Sequence, residues 1–241
     1  MKRTKTAWQI YNSRWHLLIT IFVILVPFLY LLIFARFAHL ASTKLFLDVL
    51  ASLWRMVIAY LIALILAWSF AVLFYRGKGS AVALPIFDVL QSFPNSAALP
   101  IATYFWGPSN FTVIFFLTIS IIWPIIFSTI SSLKLIRRDW YEAVQIYGLR
   151  RFDYLKIFLF PASLNGIITG SIIGLGDGWE ALAATEIIVQ IQRGLGNFFG
   201  FFSHNTPMTV FGILGFLVLI FSINKLIWLP LLQWSHEKTE E

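Results

Sequence analysis

Only 12% of the 241 residues carry charge while 59% are hydrophobic, and mean hydropathy is +0.81; a soluble domain carries roughly 25% charged residues, so the chain reads as an integral membrane protein. Several apolar runs reach the ~20 residues that cross a bilayer as helix, which points to an all-α, polytopic membrane helical bundle and excludes a barrel, whose strands would alternate. The net charge of +7 belongs to basic loops beside membrane spans rather than to a nucleic-acid surface, and the absence of cysteine excludes disulfides and thiolate metal sites.

Met1 to Arg14 is basic, with Lys2, Arg3, Lys5 and Arg14 and no acidic residue. A first span is expected from Leu17 to Phe34, retained rather than cleaved, with Pro27 inside it. A polar link with Arg36, His39, Lys44 and Asp48 leads to a second span from about Trp54 to Tyr75. Arg76-Gly77-Lys78-Gly79-Ser80 then reads as a tight basic turn; a phosphate-binding loop would need glycine five residues before the Gly-Lys pair, where Val72 stands.

The third apolar region, Ala81 to Trp106, is interrupted by Pro85, Pro94 and Pro100 and carries Asp88, Gln91, Ser92, Asn95 and Ser96 in its middle. Irregular polar backbone at membrane depth is tolerated where protein buries it or a watery cavity meets it, so this segment is either part of a pathway or a kinked helix bonded to its neighbours. After the uncharged turn Gly107-Pro108-Ser109-Asn110, a fourth span is expected from Phe111 to about Leu133, kinked at Pro124. The fifth, Ala162 to Val189, carries Gly166, Gly170, Gly174, Gly176 and Gly178, which permit close helix packing. A sixth runs from about Thr209 to Leu232, before the tail HEKTEE. With six spans and both termini cytoplasmic, thirteen basic residues fall inside against Arg36, Lys44, Arg55 and Arg193 outside, with Lys225 in the last span, a clear positive-inside bias.

That topology puts the longest charged interruption, Asp139 to Pro161, in the cytoplasm. Asp139 followed by Glu142 reads as a capping box that starts a short helix, which Gly148 in a left-handed conformation would end after about two and a half turns. A second helical piece is expected from Leu149 to Phe160, with Pro161 marking entry to the next span. The result is a helix–glycine–helix knob against the inner face, or an amphipathic hairpin that only caps the bundle.

The spacing of Glu142-Ala143, Gly148 and, after nine residues, Phe158-Leu159-Phe160-Pro161 resembles the EAA motif of ABC-importer permease subunits; Val144 replaces the second alanine, and Phe158 and Phe160 replace the usual Ile and Leu. Gly178-Trp179-Glu180-Ala181-Leu182, Glu186 and Gly194-Leu195-Gly196 are similar to the pattern of the nitrate, sulfonate, taurine and bicarbonate branch, and the segment from Phe87 to Ile101 resembles its Pro-rich third span. The resemblance covers about Trp54 to Leu232. It implies the type I importer fold, a single permease domain over 1–241 with a cytoplasmic coupling loop at 134–161, and an inner-membrane location. It implies as partners a cytoplasmic ABC ATPase dimer, a second permease subunit, identical or related, and an extracytoplasmic solute-binding protein. The chain has no Walker A motif, so it is not expected to be an enzyme or to hold a cofactor; ATP and Mg belong to the ATPase. Glu142, Ala143, Val144, Gln145, Tyr147, Gly148 and Pro161 would form the ATPase-coupling site.

For the translocation pathway the candidates are Gln91, Ser92, Asn95, Asp177, Glu180 and Glu186. Intramembrane carboxylates face the interior or pair with cations, here Arg55, Arg193 or Lys225. Asp177 and Glu180 lie about 60° apart on a helix and share a face, whereas Glu186 is rotated away and is as well suited to tying helices together. An acidic lining sits awkwardly with an anionic cargo. His16, His39, His204 and His236 show no metal-ligand spacing. A secondary transporter or channel working without an ATPase is the alternative, although no inverted repeat is evident; an intramembrane enzyme would need a nucleophile–base pair or a metal motif, and none is present.

Overall fold

The computed structural model describes residues 14–37, 42–201, 204–228 and 230–231. Among them every regular element is helical: α1 (Arg14–Phe37), α2 (Ser42–Phe74), α3 (Gly77–Gln91), α4 (Asn95–Trp106), α5 (Asn110–Lys134), α6 (Arg138–Ile146), α7 (Arg151–Val189), α8 (Leu195–Phe201) and α9 (Thr206–Ile223), which continues as a π turn, Asn224–Trp228. Five of these (α1, α2, α5, α7 and α9 with its π turn) are long and apolar enough to cross a membrane. The chain divides into two compact units, one of residues 1–46 and 202–230, the other of residues 47–201 and 231–241.

The larger unit is built on small residues. Gly166, Gly170, Gly174 and Gly178 recur every four residues on α7, so they form one stripe. A Cβ at Gly166 would lie 2.6 Å from the Ser128 carbonyl oxygen, one at Gly170 2.6 Å from Ile125 Cα, and one at Gly174 2.7 Å from the Ile121 carbonyl oxygen. The backbones of α5 and α7 therefore meet almost directly, the arrangement that drives helix association where no hydrophobic gain separates lipid from protein. Gly176, off the stripe, has open space around it. On α2, Ala59, Ala63, Ala67 and Ala71 make a fully buried stripe of the same period, and Tyr60 and Trp68 donate hydrogen bonds of 3.0 Å to Ser171 and Ser163 of α7.

The elements depart from the sequence expectation at definite places. The link before the second span is shorter than expected, because α2 already starts at Ser42 and takes Lys44 and Asp48 into the helix. The third region is two helices of 15 and 12 residues, each too short to cross alone, broken at Ser92–Pro94. Pro94 breaks it because the residue before a proline disfavours the α region; the helices continue through Pro85 and Pro100. The basic turn is confined to Tyr75 and Arg76, for α3 begins at Gly77. Pro161 marks no entry either: the loop's second helix runs unbroken into the fifth span as the 39-residue α7, about 58 Å long against a hydrocarbon core of about 30 Å. A proline inside a helix removes one hydrogen bond and crowds the carbonyl four residues back; the widened π turn Tyr154–Leu159 just before it absorbs both.

In the smaller unit the Tyr30 hydroxyl of α1 donates to the Phe211 carbonyl of α9 at 2.6 Å, and Phe37 stacks on Phe211. Gly215 leaves room for the Tyr30 ring, which a Cβ would approach to 2.5 Å. The basic segment before Arg14, His39 and the acidic tail lie outside the described residues.

Candidate functional site

The loop between the fourth and fifth predicted spans folds as α6, a nine-residue amphipathic helix none of whose residues is fully buried. The helix starts one residue earlier than the expected cap: Arg137 takes the N-cap position, and Asp139 falls in the first turn, where the helix dipole favours its charge. No capping box forms. Asp139 pairs instead with Arg137 at 2.5 Å and Glu142 with Arg138 at 3.1 Å, both exposed pairs. The end of α6 is as the glycine foretells: Gly148 has φ +64°, its N–H donates to the Gln145 carbonyl at 3.1 Å, and the Leu149 N–H donates to the Val144 carbonyl at 3.2 Å. These two bonds make a Schellman motif. Ala143 and Val144 turn half-buried towards Leu149 and Phe158. Glu142 and Gln145 are exposed, and so are the large side chains of Trp140 (58%), Ile146 (84%) and Tyr147 (81%).

The inward face of α6 is fastened by an aromatic joint that the sequence reading missed. The Arg76 guanidinium lies 3.5 Å from the centroid of the Tyr141 ring, a cation–π contact. Tyr141 also meets Phe158 edge-to-face at 5.2 Å, and the hydroxyls of Tyr75 and Tyr154 lie 3.2 Å apart. Burial pushes the Tyr141 hydroxyl up to about 12, with Tyr75 adding to the rise and Arg76 opposing it.

Away from this loop, Gln91, Asn95, Asp177 and Glu180 line one cavity of about 320 Å³, together with Ser96, Ser120, Trp123 and Thr185. The break between α3 and α4 brings the first pair there and one face of α7 the second. Gln91 donates to Asp88 at 2.7 Å and Asn95 to Ser120 at 3.4 Å. Among the described residues, no Lys, Arg or His lines this cavity.

Ser92 and Glu186, also read as pathway candidates, stand elsewhere. Ser92 closes α3 by donating to the Asp88 carbonyl. Glu186 is wholly buried and forms an ion pair with Arg55 of α2; rotation around α7 aims it at α2 rather than at the cavity. Its carboxylate accepts from the Ser52 hydroxyl at 2.8 Å and from the Gly196 N–H at 2.9 Å. Ser52 accepts from the Leu195 N–H at 2.9 Å, Asp48 from the Gly194 N–H at 3.3 Å, and the Arg193 carbonyl from Arg55 at 2.7 Å. The Gly194-Leu195-Gly196 loop is thus held by its own amides, and a Cβ at Gly194 or Gly196 would run into Glu186. Helix-tying is one of the roles expected for Glu186 and Arg55 one of its expected partners; the parts of Asp48 and Ser52, spaced with Arg55 along one face of a helix in an apolar run, were missed because the expected span began only at Trp54.

Residues 59–227 match the family described as the binding-protein-dependent transport system inner membrane component. The chain belongs to that family. It is 35% identical over 145 residues to the nitrate import permease protein NrtB of Leptolyngbya laminosa, an alignment covering 60% of this chain and 52% of that one. It is 32% identical to the taurine transport system permease protein TauC of Escherichia coli, over 65% of this chain and 59% of the relative. With the bicarbonate transport system permease protein CmpB of Synechococcus elongatus it shares 30% identity, over 64% and 56%. The chain spans about half the length of the curated relatives it matches. As an inner membrane component it is a multi-pass membrane protein, and α6, the cavity and Glu186 fall within the matched residues, whereas the latch residues Asp48, Ser52 and Arg55 precede them.

Proposed function

We propose that this chain is the permease subunit of an ATP-driven ABC importer, a single transmembrane domain that forms the path for a small solute and takes up force through α6. The observation that carries this reading is the shape of the loop: a short helix stopped by a Schellman turn at Gly148, with Trp140, Ile146 and Tyr147 exposed among the charged side chains of Arg138, Asp139 and Glu142. Such a knob suits a groove on a soluble partner, and the partner is a cytoplasmic ATPase dimer that binds ATP and Mg. A second permease subunit, identical or related, and an extracytoplasmic solute-binding protein complete the assembly. The positive-inside bias supports cytoplasmic termini.

The relatives named for nitrate, taurine and bicarbonate support a small anion as cargo. Of these, taurine, with its ammonium group, best suits a cavity whose charged lining, among the described residues, is Asp177 and Glu180.

The test is purification from the native membrane in mild detergent. An ABC ATPase subunit should co-purify, and the pair Ile146→Asp and Tyr147→Asp should release it while leaving the chain inserted. Solute uptake that persists without any ATPase, driven by an ion gradient, would instead mark a secondary transporter.

A further inference from the structure

α3 is attached as a lever. It follows α2 after the two-residue link Tyr75-Arg76 and starts at Gly77, whose φ of +72° is left-handed backbone with nothing within 4 Å of where a Cβ would stand. Its 15 residues span about 22 Å and end at Gln91, on the polar cavity. On the way Phe87 packs on Trp123, another cavity residue, with ring centroids 6.2 Å apart. The residue just before this pivot is Arg76, and the group it sits on is Tyr141 of α6.

We propose that Arg76 is the positioning residue that passes motion of α6 to α3: the Tyr141 ring bears on the Arg76 guanidinium, and displacement of α6 swings α3 about Gly77 and reshapes the Gln91 end of the cavity. This rests on the reading of α6 as the ATPase-docking helix. The neighbouring contacts fit a joint rather than a surface ornament. The Tyr75 hydroxyl meets that of Tyr154 in the π turn of α7, so the α2–α3 corner is tied on one side to α6 and on the other to the π turn of α7, a local departure from regular helix. Arg76 is exposed and Tyr141 half-buried, so the contact can slide without opening the core.

Because the chain has no cysteine, Ser92→Cys, just past the end of α3, gives a single reporter. The complex is purified with its ATPase, and labelling of Ser92→Cys by a membrane-impermeant maleimide is compared without nucleotide and with ATP plus vanadate. In the otherwise unsubstituted chain the rate should change several-fold. Arg76→Ala and Tyr141→Leu should shrink that change about five-fold, the weight of one partly desolvated cation–π contact, with the ATPase still bound; Arg76→Lys and Tyr141→Phe, which keep a cation and a ring, should preserve it. The proposal is overturned if Arg76→Ala keeps the full nucleotide response, if no response exists in the unsubstituted chain with ATPase bound, or if Arg76→Ala loses the ATPase, since Arg76 would then act in docking or folding. Failure of the unsubstituted chain to carry an ATPase at all would sink the importer reading and the joint with it, an outcome distinct from these three.

Discussion

Arg55 of α2 and Glu186 of α7 lie 131 residues apart in sequence and form an ion pair that solvent barely touches. Two charges removed from water are tolerable only when further hydrogen bonds offset the loss of solvation, and here each nitrogen of the Arg55 guanidinium and both oxygens of Glu186 have partners. Arg55 also donates to Asn110 at 2.8 Å and to the Arg193 carbonyl, while Glu186 accepts from Ser52 and Gly196. We expect Glu186→Ala, which strands the Arg55 charge, to cost about 3–5 kcal/mol. Thermal unfolding in detergent measures it; the double change Arg55→Met with Glu186→Leu should cost markedly less.

The glycine stripe makes a second expectation. Gly170→Val and Gly174→Val place a side chain where the α5 backbone stands, so both should force the helices apart and reduce the yield of monodisperse protein by gel filtration. Gly176→Ala, in open space, should be neutral or slightly stabilising, because alanine in a helix interior is favoured over glycine by roughly 1 kcal/mol.

A third concerns the cavity. Neutralising both carboxylates, Asp177→Asn with Glu180→Gln, should lower uptake of an amine-bearing solute such as taurine by ten-fold or more, on the order of 1.4 kcal/mol, and leave or raise that of nitrate. Competition uptake in proteoliposomes separates the two. Equal effects on both solutes would show that the carboxylates do not discriminate charge.

The Tyr141 joint carries a pH expectation. Its folded pKa is raised from 10.0 to about 12, so the neutral hydroxyl is favoured in the folded chain. The contribution is fully present below pH 10 and is lost as pH rises from 10 through about 12. Tyrosinate absorbance of the unsubstituted chain minus that of Tyr141→Phe should show one late-titrating group.

What the sequence makes legible follows from how local each cause is. The Schellman end of α6 needs only one glycine at the close of a short helix, and Gly148 supplies it. The close packing on α7 needs only small residues four apart. Pro161 and Asp139 mislead because local rules fix neither which residue opens a helix nor whether a π turn can absorb a proline. The pairing of Glu186 with Arg55 and the seat of Tyr141 on Arg76 depend on how distant helices meet, which charge and spacing suggest but do not select. Helix periodicity already turns Glu186 away from the face of Asp177, but only the tertiary structure gives the latch to one face and the cavity to the other.

The most direct measurement of force transfer through α6 is ATP hydrolysis and solute uptake recorded together for Gly148→Pro in the reconstituted transporter. Proline cannot adopt the φ of +64° at this position and loses the N–H that donates to the Gln145 carbonyl, so the Schellman turn breaks while the membrane helices stay intact. The expected result is a chain that inserts normally with ATP hydrolysis persisting and ATP-driven uptake falling to background. Uptake and hydrolysis still tightly linked, at the ratio of the unsubstituted chain, would contradict a coupling role for this loop.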